Sequence, residues 1–150
     1  MNFHRIVVAT DFSEESLSAM ETAFDLTLEH ANVVFLVHVI EPFVPNDPIG
    51  GLHPSVLAMN ERALEELKAL VPENREGDAE IQTTVLCDAS PSKAIACFAR
   101  EENADLVVVG THGRTGLTRM LMGSTAESLL RYSPCQVLVV KCRRADARAA

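Results

Sequence analysis

The sequence predicts an α/β fold: an open five-stranded parallel sheet with helices on both faces. Three observations predict it. Four short runs rich in Val, Ile and Leu recur along the chain, apolar at nearly every consecutive position as strands buried on both faces are, and residues 81–87 (IQTTVLC) read as a further strand. Between them lie stretches whose apolar residues repeat at helical spacing. Strands that alternate with helices require crossover connections, and these build one parallel sheet rather than a set of hairpins.

Each element has its own signal. Residues 5–10 (RIVVAT) read as the first strand and Asp11-Phe12-Ser13 as a loop. Ser13 is placed to cap a helix whose first turn carries Glu14 and Glu15, the charge that the helix dipole favours there. Leu17, Met20, Phe24 and Thr27/Leu28 continue it, with an end expected near residues 30–32. Residues 33–40 (VVFLVHVI) are the second strand. Residues 41–54 carry Pro42, Pro45, Pro48, Pro54 and Gly50-Gly51, which forbids a continuous helix or a central strand; a mobile flap over the ligand edge is expected. From Ser55 a helix resumes with Leu57, Leu64, Leu67 and Val71 on its apolar side, followed by a polar turn over 72–78 and a third strand at 81–87. Ser90-Pro91 opens the third helix, Ser as cap and Pro at the first helical position, with Ala94, Ile95, Phe98 and Ala99 as its stripe. Residues 106–109 (LVVV) are the fourth strand. After a loop at 110–123, Ser124-Thr125-Ala126-Glu127 matches a capping box, and Ala126, Leu129 and Leu130 are expected to face inward. Residues 136–140 (QVLVV) are the fifth strand, and the Ala-rich end at 143–150 is expected to fray.

Length and composition limit the partners. The 150 residues fit one domain, 1–150, and 47% hydrophobic residues supply a core without disulfides. No window approaches the roughly 18 apolar residues of a membrane span, and the apolar run near the N-terminus is too short for a signal peptide; a cytoplasmic location is expected. Thirteen Lys+Arg against 21 Asp+Glu give a formal charge of −8, which disfavours nucleic acid and anionic membrane as partners. The four cysteines, Cys87, Cys97, Cys135 and Cys142, form no C-x-x-C pair, and the histidines show no metal-ligand spacing. Reduced, mostly buried thiols and no metal site from the protein alone are expected.

In an open α/β sheet the ligand sits beyond the carboxyl ends of the strands. That directs attention to Thr10-Asp11-Phe12-Ser13, to Val39-Ile40-Glu41 and to residues 110–116. Gly110, Gly113 and Gly116 allow close backbone approach, and Gly123 precedes a helix start with a hydroxyl, together an anion site. From 110 to 124 stand Arg114, Arg119 and His112 and no acid, a local reversal of charge that fits phosphate. The P-loop pattern and its Lys are absent, and so is G-x-G-x-x-G after the first strand. On the residues alone, Asp11 is either a turn residue or a ligand contact. His38 reads as a hydrogen-bonded core histidine, and His112 as a contact of the ligand loop or a solvated side chain.

The spacing Gly110-x2-Gly113-x9-Gly123-Ser124 resembles the ATP-binding signature of the universal stress protein family, G-x2-G-x9-G-[ST]. The blocks RIVVATDFSEES, LVHVIEP, ADLVVVGTHGRTGL and LMGSTAESLLRYSPCQVLVVK are similar to that family too, so the resemblance spans residues 3–142. It implies a Rossmann-like sheet of the adenine-nucleotide alpha hydrolase type, with ATP as ligand. It places Asp11 beside the ribose or a phosphate-bound Mg2+, Ala9 and Thr10 along adenine or ribose, and Val39 against adenine. Gly110 and Gly113 then meet ribose and phosphates, and Gly123, Ser124 and Thr125 hold phosphates at the helix start. Arg114 stands at a position often basic in the family, and its charge suits a phosphate. One departure is Ala89-Ser90-Pro91 where the family often has Gly-x-Pro; Ala resists a positive φ, so a reshaped turn is expected. The function implied is an ATP-binding regulatory or stress-response protein with slow or no hydrolysis, since no Lys or convincing base stands by the phosphates. The alternatives are an ATP-hydrolysing or adenylyl-transferring enzyme, or a module for AMP or cyclic AMP. A regulatory protein partner is implied but not identified. A homodimer is expected through residues 136–141 (Gln-Val-Leu-Val-Val-Lys), apolar at consecutive positions and an edge strand in the family's order, so both its faces should be buried.

Overall fold

The computed structural model describes residues 3–27, 33–42, 53–73, 79–112 and 122–142. In chain order its elements are β1 (Arg5–Ala9), α1 (Glu14–Leu26), β2 (Val33–Ile40), α2 (Pro54–Leu70), β3 (Glu80–Cys87), α3 (Pro91–Glu101), β4 (Leu106–Gly110), α4 (Ser124–Tyr132) and β5 (Gln136–Val140). The strands form one parallel sheet in the order β3-β2-β1-β4-β5. The chain builds outward from β1 through β2 to β3, then crosses back to lay β4 on the other side of β1. A crevice therefore opens between the carboxyl ends of β1 and β4, the switch point where open sheets take ligands.

Successive strand residues point to opposite faces, and the two faces pack separately. Ile6, Val8, Leu36 and Val108 join Met20 and Phe24 of α1 and Leu67 of α2. Val7, Phe35, Val37 and Val107 join Ile95 and Ala99 of α3 and Leu129 of α4. At the amino end of the sheet Arg5 ties two elements together. Its guanidinium meets the Glu102 carboxylate at 2.7 Å and lies 5.0 Å from the Phe35 ring centroid, while the Asp105 carboxylate accepts the backbone N–H groups of His4 and Arg5.

The boundaries correct the sequence reading in several places. The first helix ends at Leu26, short of 30–32, because Thr27 closes it: its N–H and its hydroxyl both bond the Phe24 carbonyl. Gly123, not Ser124, is the N-cap of α4, and no side chain caps that end. Ser124 already lies inside the helix, and Glu127 of the expected capping box pairs with Arg131 at 3.0 Å instead. Leu57 and Leu130, expected on buried stripes, are about half exposed. The cysteines are not mostly buried: Cys87 and Cys97 are exposed and Cys135 and Cys142 half-buried. In β5, Gln136 is exposed and Val137 to Val140 are half-buried, because an edge strand lacks a second neighbour. Ala89 is not at positive φ; the turn is held by the Asp88 carboxylate, which accepts the Ser90 N–H at 2.8 Å. Most of the proposed flap at 41–54 and the tail at 143–150 lie outside the described residues.

Candidate functional site

β1 delivers Thr10 and Asp11 to the crevice, and the local hydrogen bonds leave that turn little freedom. The Thr10 N–H donates to the Val37 carbonyl at 2.9 Å. The Phe12 N–H donates to Thr10 Oγ1 at 3.0 Å. Ser16 Oγ donates to the Ser13 carbonyl at 2.9 Å, so at its 2.9 Å contact with Thr10 the threonine hydroxyl is the donor. Asp11 Oδ1 accepts both the N–H and the hydroxyl of Ser13, and Ser13 Oγ in turn accepts the Ser16 N–H as the N-cap of α1. Phe12, at φ 65°, is locked in left-handed backbone between these bonds.

On the other side of the crevice, β4 ends in Gly110. A Cβ there would stand 2.9 Å from the backbone carbon and oxygen of Glu15, so this glycine is demanded by the seat of α1 on β4. Beyond it the Thr111 N–H donates to the Val140 carbonyl at 2.9 Å, and the Thr111 carbonyl accepts the Gly123 N–H at 2.6 Å. The Gly123 N–H is thus engaged. The groups that α4 can offer a ligand are the N–H groups of Ser124, Thr125 and Ala126, which have no acceptor within their own helix and sit at its positive end.

These segments enclose a cavity of about 490 Å³. Ala9 at the end of β1 and Thr10 and Asp11 just after it line the cavity, with Val39 from β2 and Gly110 from β4. Gly123, Ser124 and Thr125 line it from the start of α4. Eight of the ten positions singled out in the sequence thus meet in one place; Gly113 and Arg114 lie outside the described residues. One wall is apolar, made by Ala9, Val39, Val109, Ile95 and Ala126, and suits a flat ring. The rim is polar, with Asp11, Glu41 and His112, and no Lys or Arg stands among the described lining residues. His112 Nδ1 lies 3.1 Å from Thr111 Oγ1.

Some contributions were not legible beforehand. Ser16 is a buried hydroxyl inside the first turn of α1, signalled only by its place three residues after the cap. Pro91 and Ile95 bring the start of α3 to the cavity, and Met59 of α2 reaches its other side. The helical stripe explains Ile95 as core, while Met59 follows no periodic signal.

A family model described as the universal stress protein family matches residues 2–141. Universal stress protein MJ0531 of Methanocaldococcus jannaschii is 36% identical over 141 residues, 93% of this chain and 82% of its own length. Universal stress protein YxiE of Bacillus subtilis is 29% identical over 147 residues, 93% of this chain and 99% of its own. Among solved structures, MJ0577 of Methanocaldococcus jannaschii superposes with a TM-score of 0.80 at 25% identity, covering 97% of this chain and 100% of that one.

Proposed function

The chain belongs to the universal stress protein family, and from that premise we propose that it is a regulatory protein that binds ATP in the cavity at the β1–β4 crevice and hydrolyses it slowly or not at all. The observation that carries this reading is convergence. Ala9, Thr10, Asp11, Val39, Gly110, Gly123, Ser124 and Thr125 come from four separated segments and line one cavity. The apolar wall suits adenine, and the N–H groups opening α4 suit phosphate. Asp11 repels a bare triphosphate, so we assign it to the ribose or to a magnesium ion carried by the nucleotide. Gly113 and Arg114 complete the phosphate side in this reading. A second copy pairs through the β5 edge.

Ser124→Glu tests the site without loosening the helix, because a carboxylate in the first turn of α4 is favoured by the dipole but repels phosphate. The wild-type protein should gain thermal stability with ATP, and the variant should keep its own melting temperature while losing that gain. An unchanged ATP response in the variant would place the nucleotide elsewhere. Steady-state phosphate release should lie far below the roughly 1–1,000 per second of ordinary enzymes. A rate near one per second that vanished in Asp11→Asn would replace the regulatory reading with an ATP hydrolase. Mass spectrometry of ligand co-purified from cells separates ATP from AMP or cyclic AMP.

A further inference from the structure

His38 stands in β2, between two residues of the nearly all-apolar strand core, and is 9% exposed. It lines the cavity together with Thr10 and Ile40. Its Nδ1 is 2.8 Å from the Thr10 carbonyl oxygen. A carbonyl only accepts, so Nδ1 carries the proton. The Phe12 ring lies across the imidazole with centroids 4.6 Å apart and planes at 38°. One nitrogen and one face of the ring are therefore occupied by the turn that presents Asp11. Among the described residues nothing hydrogen-bonds Nε2, which in the neutral ring is a bare acceptor. A buried acceptor left without a partner is a costly feature to retain, and the ring borders a cavity where a ligand can supply that partner.

We propose that His38 is a specificity-determining residue of the cavity: its Nε2 accepts a hydrogen bond from an N–H or O–H donor on the nucleoside part of the ligand. The inference rests on the nucleotide reading above and deepens it. Two groups of an adenine nucleotide carry such a donor, the exocyclic amine of the base and the ribose hydroxyls. A phosphate at physiological pH offers none, so His38 reads the nucleoside and not the length of the phosphate chain. The same residue has a positioning role, because its Nδ1–H holds the Thr10 carbonyl. The two roles reside on different nitrogens and can be separated by substitution.

His38→Asn separates them. An asparagine amide N–H overlays the Nδ1 donor and can keep the bond to the Thr10 carbonyl, but nothing replaces Nε2. Calorimetric titration of wild type and variant with ATP, inosine triphosphate, 2′-deoxy-ATP and 3′-deoxy-ATP distinguishes the donors. Wild type should bind the analogue that lacks the relevant donor about five- to tenfold more weakly than ATP. The variant should bind ATP at that weaker level and no longer distinguish the two. In ¹⁵N spectra of histidine-labelled wild type, His38 should show the Nδ1–H tautomer before ligand is added, with the Nε2 signal moving when ATP binds. An unchanged selectivity ratio in His38→Asn, or an Nε2–H tautomer in the protein without ligand, would overturn this role while leaving the nucleotide site standing. Failure of the wild type to bind any of the four nucleotides would overturn the site itself and this inference with it.

Discussion

Phe12 occupies left-handed backbone at φ 65°, which costs a residue with a side chain about 1–2 kcal/mol. Its ring packs on His38 and on the face of the sheet that α1 covers, and that packing outweighs the strain. The usual ranking of Ala over Gly should therefore invert here. Phe12→Ala and Phe12→Gly both lose the ring, but only Gly relieves the backbone; urea denaturation should find the Gly variant about 1 kcal/mol more stable than the Ala variant. An Ala variant equal to or more stable than Gly would remove the strain from the account. Nothing in the residues Thr-Asp-Phe-Ser announces a bulky residue at positive φ, so this feature was invisible in the sequence. Asn103 was more legible, being a residue type that tolerates φ 50°. It ends α3 with its N–H on the Arg100 carbonyl while the Ala104 N–H reaches the Ala99 carbonyl, a Schellman closure. The thiols give a second test. Burial pushes the Cys135 thiol up, the Ser133 hydroxyl draws it down, and the Asp105 carboxylate pushes it up again. The thiolate is the reactive form, so iodoacetamide at neutral pH should label exposed Cys87 and Cys97 well before Cys135. Peptide mapping that found Cys135 labelled first would contradict this.

At the scale of elements, the open side of β5 can be assigned strand position by strand position. The Thr111 N–H bonds the Val140 carbonyl, which turns the backbone groups of Val140 toward β4. By the alternation of a parallel ladder, Leu138 faces β4 as well, and Val137 and Val139 direct their N–H groups to the open side. Val139→Pro should therefore give a folded monomer by light scattering if two copies pair along this edge, since proline removes a donor aimed at the partner. Leu138→Pro should destabilise the sheet itself, seen as a clear drop in melting temperature. The reverse pattern, or a wild type that scatters as a monomer at tens of micromolar, would remove the β5 pairing. The strands were located in the sequence to within a residue, because four of the five are apolar runs bounded by polar residues or glycine and the third ends in Val-Leu-Cys before a polar turn. The helix ends were not. Thr27 closes α1 with a hydroxyl bond that competes with helix continuation, and Gly123 caps α4 with extended backbone, its carbonyl accepting the Glu127 N–H. Neither preference shows in an apolar period.

At the scale of the molecule, ligand that binds only the folded chain stabilises it by mass action. ATP at 100 times its dissociation constant should add about 2.7 kcal/mol, or about 5–10 °C in melting temperature for a chain of this size. No concentration-dependent shift up to millimolar ATP would count against the cavity as a nucleotide site. The alternation of strands and helices made the parallel sheet legible, and the glycine spacing pointed to the crevice. Periodicity says nothing of strand order, and it could not show that the reversal between β3 and β4 sets Asp11 opposite Ser124. Nor could it reveal the chain of contacts that runs from the Gly123 N–H through both backbone groups of Thr111 to the carbonyl of Val140. Those two hydrogen bonds join the mouth of the cavity to the last residue of β5, one of the sheet's two edge strands. The start of α4 and the edge strand therefore share one residue, and displacing Thr111 would disturb both at once.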